Sequence, residues 1–143
     1  MSETENENQG SPRSTGKNPM EELFGNVIYA YTRRQAIEDG VLVDVSETAR
    51  EAGFKYPFAM TAEVWSLIEQ IPPKFSHEDV QGRLWDVLMM ARHAIAKAKP
   101  GEDQIFYEVI LHQSDANQLR LKLHCGPGDT AEAVLTLMLP DQD

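Results

Sequence analysis

Apolar residues recur at Val80, Leu84, Val87, Leu88, Ala91, Ile95 and Ala98, the spacing of a helix with one buried face, and predict the principal helix of the chain over Ser76 to Lys99. Ser76 is suited to cap its start, with Asp79 three residues on, and Glu78 and Asp79 place negative charge at the positive end of the helix dipole. Lys97 and Lys99 suit the other end, and Pro100-Gly101 stops it. Beyond Gly101 the period changes to two. In 104–113, Ile105, Tyr107, Val109 and Leu111 alternate with Phe106, Glu108, Ile110 and His112, and in 118–125 Leu119, Leu121, Leu123 and Cys125 alternate with Gln118, Arg120, Lys122 and His124. Ser114 to Asn117 and Gly126 to Asp129 are turns, and Ala133, Leu135, Leu137 and Leu139 share one side of a third strand. The pattern is a three-stranded antiparallel meander whose apolar face is available to the helix.

The N-terminal half reads as shorter elements. Met20 to Phe24 suits a helical turn that drops Leu23 and Phe24 onto the core, and Val27-Ile28-Tyr29-Ala30-Tyr31 has the content of a buried strand. Thr32 with Gln35 forms a capping box for a short helix through Asp39, which Gly40 closes; Val41 to Val45 is a second strand, and Ser46 caps another short helix that Gly53 ends. Phe54-Lys55-Tyr56-Pro57 is an extended link, and Thr61 caps a helix to Gln70 that presents Val64, Leu67 and Ile68, with Trp65 beside them. The expected fold is α+β: residues 20–143 form one domain, with the C-terminal meander packed on the long helix and an N-terminal strand and short-helix unit ahead of it. Residues 1–19 contain no apolar residue after Met1 and are expected to be a disordered tail.

Charge narrows the function classes. The formal net charge is -10, of which Glu3, Glu5, Glu7, Arg13 and Lys17 contribute only -1. Such a chain is unsuited to the phosphate backbone of nucleic acid and favours basic partners. Cys125 is the single cysteine, so an intrachain disulfide and a cysteine-based zinc site are excluded. No apolar run approaches the length of a membrane span and no hydrophobic leader is present, so a soluble protein of a reducing cytoplasm is expected. No motif for a cofactor is found.

Five groups of residues are candidates for chemistry or binding. Thr32, Arg33 and Arg34, at a helix start directly after a strand, could hold a carboxylate or phosphate; without a Gly-rich loop and a Lys-Ser/Thr pair they are not a P-loop. Otherwise these arginines balance Glu38, Asp39 and Asp44. His112, His124, Cys125 and Asp129 would form a Cys/His or two-His site only if the strands gathered them, and Cys125 falls on the apolar side. Arg83 and Asp86 are spaced for an exposed ion pair on the principal helix. Trp85, Met89 and Met90 either widen the core face or form a partner-binding edge, and Glu108, Arg120 and Lys122 share the polar sheet face as cross-strand charges or part of an interaction surface.

The segments from Tyr31-Thr32-Arg33-Arg34-Gln35 to Thr48-Ala49, Ala52 to Pro57, Thr61 to Trp65 and Gly82 to Leu88, in that order, resemble a family of uncharacterised small bacterial proteins of plasmids, phages and other mobile elements. The resemblance covers roughly Phe24 to Ala98, implies a bacterial mobile-element context, and carries no catalytic residues. With no assembled catalytic set, the leading expectation is an acidic accessory protein that acts by binding another protein, such as a host factor or defence nuclease. A ligand-binding protein or enzyme using Thr32 to Arg34 is the second expectation, and a homodimer through an open sheet edge the third.

Overall fold

In the computed structural model, residues 31–143 are described. Arg33–Asp143 forms one compact unit; of a second, Met1–Thr32, only Tyr31 and Thr32 fall within the described residues. The tail expected over 1–19, the turn at 20–24 and residues 27–30 of the first expected strand therefore lie outside them.

Two short helices, α1 (Arg33–Glu38) and α2 (Ser46–Glu51), flank strand β1 (Leu42–Asp44). Both helices end at a glycine in the left-handed region, Gly40 at φ 80° and Gly53 at φ 103°. In each case the glycine N–H and the next N–H turn back to carbonyls of the last turn, Ile37 and Ala36 for α1, Arg50 and Ala49 for α2. A side chain is strained at such positions, which is why glycine punctuates both helices.

Strand β2 (Phe58–Thr61) occupies a stretch to which the sequence pattern assigns no element, between the extended link Phe54–Pro57 and the helix capped by Thr61. Phe58, Ala59 and Met60 are all fully buried, so the strand has no polar face and no alternation by which to be recognised. Ser46 corrects an expectation. Rather than capping α2, its hydroxyl accepts the Phe58 N–H at 2.9 Å, while Asp44 accepts the Ser46 N–H at 2.9 Å. Ser46 thus ties α2 to β2.

The meander forms as expected, with β3 (Gln104–Ile110) antiparallel to β4 (Gln118–Pro127) and β4 antiparallel to β5 (Ala133–Met138). It is part of a larger sheet. β2 pairs parallel with β5 and antiparallel with β1, giving five strands in the order β1-β2-β5-β4-β3. Helix α3 (Ala62–Glu69) begins where expected, the Thr61 hydroxyl accepting the Val64 N–H.

The principal helix, α4 (Val80–Lys97), starts later than the sequence suggests. Asp79, not Ser76, is its cap, accepting the Gly82 N–H at 2.6 Å; Ser76 follows a single 3-10 turn, Pro73–Phe75. Leu84, Val87, Leu88 and Ala91 are buried on α4 against Tyr107, Val109, Leu121, Leu123 and Leu137 of the sheet. The expected stripe stops there, since Ile95 is 36% exposed. The buried Tyr107 hydroxyl donates to the Val87 carbonyl at 3.1 Å, joining helix to sheet, and burial pushes its phenol pKa up.

Candidate functional site

α4 runs antiparallel alongside β3, an edge strand of the sheet among the described residues. Arg83 in the first turns of α4 meets His112 just past the end of β3, Tyr107 meets Val87 midway, and Ala94 and Lys97 share a cleft with Gln104 and Ile105 at the other end. Two clefts lie along this seam and share Met90 and Glu108. They make one groove between a helix and the rim of a sheet.

The groove combines exposed apolar side chains with acidic ones. Trp85, Met89 and Met90 are 38%, 36% and 39% exposed, so they do not widen the core but line the first cleft, where Ile110 of β3 is 67% exposed. Carboxylates surround them: Glu51, Glu78, Asp79, Asp86 and Glu108 line the same cleft, and Arg83 is its one arginine or lysine. Large apolar groups left in water beside several carboxylates make this cleft the candidate interaction surface.

Arg83 answers one of these carboxylates, Glu78, and does so facing inward. The expected exposed pair with Asp86 does not form, because Arg83 is 4% exposed and faces inward, one turn from both Val80 and Val87 on the apolar stripe. Its guanidinium donates to the carbonyls of Ile68 at 2.8 Å, Leu67 at 3.0 Å and His112 at 3.0 Å, and to the Glu78 carboxylate at 2.9 Å. The fork of donors ties the end of α3 and the loop after β3 to α4. The other Glu78 oxygen lies 2.6 Å from His112 Nδ1, and the His112 ring stacks on Phe75 at 3.8 Å between centroids. This cluster of Phe75, Glu78, Arg83 and His112 was missed in the sequence. The signal for it was an arginine at an apolar-stripe position, which needs buried acceptors.

The Glu78 carboxyl is held below its ordinary pKa, chiefly by the hydrogen bond from His112 and also by that from Arg83, against an opposing effect of burial. A carboxyl that binds its proton more weakly in the folded state stabilises the fold fully above its unfolded value, and that contribution is lost as pH falls through the folded value. Stability is therefore expected to fall as pH drops below the ordinary glutamate range, and Glu78→Gln should flatten that part of the profile. Urea midpoints measured across the acid range check this; an unchanged slope in the variant contradicts it.

The remaining sequence candidates fall elsewhere. Thr32 precedes α1. The Arg33 and Arg34 N–H groups donate to the two Asp129 carboxylate oxygens at 2.8 and 3.0 Å, so the anion expected at this helix start is a side chain of the β4–β5 turn. These bonds hold the Asp129 carboxyl below its ordinary pKa. The Arg33 guanidinium donates to Thr136 Oγ1 at 2.6 Å and the Leu135 carbonyl at 2.7 Å, fastening α1 to β5, while Arg34 points out beside Glu38. Glu108 and Arg120 are the expected cross-strand pair, 3.6 Å apart and exposed, and Arg120 lies over the Phe106 ring. Lys122 keeps to the expected face, in register with Phe106, but is buried there at 6% exposure, and its ammonium donates to the Gln142 carbonyl.

His112 and His124 are not gathered. The register sets Ile110 opposite Gln118 and Gln104 opposite His124, so the two histidines occupy opposite ends of the β3–β4 pair. Cys125 is half-buried against the core. Among the described residues no group of three or more His, Cys, Asp or Glu is placed to hold a metal ion, and no helix is long and apolar enough to cross a membrane.

The fold and groove define a mixed α+β protein with an acidic, apolar-lined seam at an edge of the five-stranded sheet that no described strand pairs with. The chain belongs to the family of unknown function DUF6573, whose model matches residues 20–143. No curated protein and no solved structure matches it.

Proposed function

We propose that this protein acts by binding another protein, and that the groove between α4 and β3 receives a cationic partner. The exposure of Trp85, Met89 and Met90 within a ring of carboxylates carries this reading. Apolar area supplies affinity at the centre of such a surface, and the acidic rim speeds encounter and selects partners of opposite sign. The net charge of -10 acts in the same direction over a longer range. Together with the resemblance to proteins of plasmids and phages, it supports an accessory protein of a mobile element that engages a host factor, a defence nuclease among them, through a basic surface.

The test is affinity capture of the tagged full chain from a nuclease-treated lysate of its bacterial host, run in parallel with Asp86→Lys. Asp86 is exposed in the groove, and its reversal places repulsion where attraction is proposed. A stoichiometric partner recovered at low salt and reduced about tenfold by the variant is expected, a change worth about 1.4 kcal/mol. Equal recovery by both proteins, or none by either, contradicts the reading.

A further inference from the structure

We infer that the occupant of the groove is an extended cationic segment that adds to β3 as a sixth strand of the sheet, an inference that rests on the protein-binding reading above. The hydrogen-bond register carries it. Cys125 N–H donates to the Asp103 carbonyl and Leu111 N–H to the Asn117 carbonyl, which fixes the residues that bond across to β4 as the odd-numbered ones. The main-chain N–H and C=O groups of Gln104, Phe106, Glu108 and Ile110 then point away from β4, and among the described residues no strand pairs with that edge. Seven residues of β3 present about 23 Å of such edge, flanked along its length by α4.

An unpaired edge beside a helix selects the conformation of its occupant. A docked helix satisfies its own main chain and leaves the β3 groups unanswered, whereas an added strand pairs them and alternates its side chains between two environments. One set meets Met90 and Ala94 of α4 and is apolar. The other lies over the outer sheet face, where the exposed Ile110 gives apolar contact for a stem and an incoming Lys or Arg shares the Glu108 carboxylate with Arg120. A second copy of this chain is disfavoured as the occupant: pairing β3 with itself joins two acidic rims and brings the two Glu108 side chains together near the centre.

The probes are two fluorescent peptides of equal Leu and Lys content, one alternating strictly and one arranged at helical spacing, with a third, the alternating peptide N-methylated at every other residue. Fluorescence anisotropy gives affinities for the full-length protein, and amide hydrogen exchange reads Gln104, Phe106, Glu108 and Ile110. The alternating peptide should bind at least about tenfold more tightly than the helical and N-methylated ones, and it should protect those four amides. Glu108→Pro removes one outward N–H without touching the β4 ladder and should weaken binding beyond Glu108→Gln, which controls for the charge.

Binding of the helical or N-methylated peptide as tightly as the alternating one, or binding without protection, overturns strand addition while leaving the groove as a binding surface. If no peptide binds at low salt, both readings fail. Protection of the four amides that rises with protein concentration in the absence of peptide shows self-pairing and overturns the cationic occupant. The N-methylated peptide decides the matter even if Glu108→Pro fails to fold.

Discussion

Arg83→Ala is expected to destabilise the fold by about 3–5 kcal/mol, the cost of removing one partner from a buried charge cluster. The guanidinium is almost completely buried and is the shared donor for the carbonyls of Leu67, Ile68 and His112 and for Glu78. Its loss strands those acceptors and leaves the Glu78 carboxylate with only His112 opposite it. Because typical domains are stable by only about 5–15 kcal/mol, this change alone removes a large share. Arg83→Lys should recover little, since an ammonium cannot reach acceptors fanned across one plane. Urea unfolding of both variants checks this, and a loss below about 1 kcal/mol for Arg83→Ala would mean that the cluster is not an anchor.

A loss of comparable size is expected for Phe58→Ala, about 3–5 kcal/mol. Phe58 is fully buried in β2, packs edge-on against Phe54 with centroids 5.0 Å apart, and pairs in register with Leu135 of β5. Its backbone joins the Ser46 hydroxyl and the Val45 N–H. The truncation opens a cavity where the N-terminal elements meet the meander. Phe58→Leu, which refills much of that volume, should cost clearly less. Thermal and urea unfolding of the two variants measure the difference, and equal stability of Phe58→Ala and the parent protein contradicts the role given to β2.

These two residues show where sequence reading succeeds and where it stops. The meander was legible because Ile105 to Leu111 and Leu119 to Cys125 alternate cleanly, and the inner face of α4 because Leu84, Val87, Leu88 and Ala91 keep helical spacing. Gly40 and Gly53 announced the ends of their helices because no other residue accepts those backbone angles without strain. β2 was hidden because a strand buried on both faces has no period, and its parallel pairing with β5 is a contact across more than seventy residues that no local pattern encodes.

Side-chain pairing was harder still. Arg83 has Asp86 at ideal helical spacing, yet its position on the apolar stripe turned it inward to Glu78, and with Glu78 so engaged Asp79 rather than Ser76 caps α4. Arg33 and Arg34 showed a helix start suited to an anion, but not that Asp129 supplies it. The groove was legible only in its parts. Trp85, Met89, Met90 and Glu108 were all candidates, and only the placement of α4 beside β3 brings them together.

The most direct test of the proposed groove is photocrosslinking in the native host, with a photoreactive amino acid placed at Met90 in one protein and at Tyr56 in another. Both positions are exposed, Met90 in the groove and Tyr56 outside its lining. A covalent adduct with a basic partner from position 90 and none from position 56, abolished by Asp86→Lys, is the predicted result. A partner that crosslinks equally from position 56, or one that copurifies yet never crosslinks from position 90, would contradict the assignment of the α4–β3 groove as the binding surface.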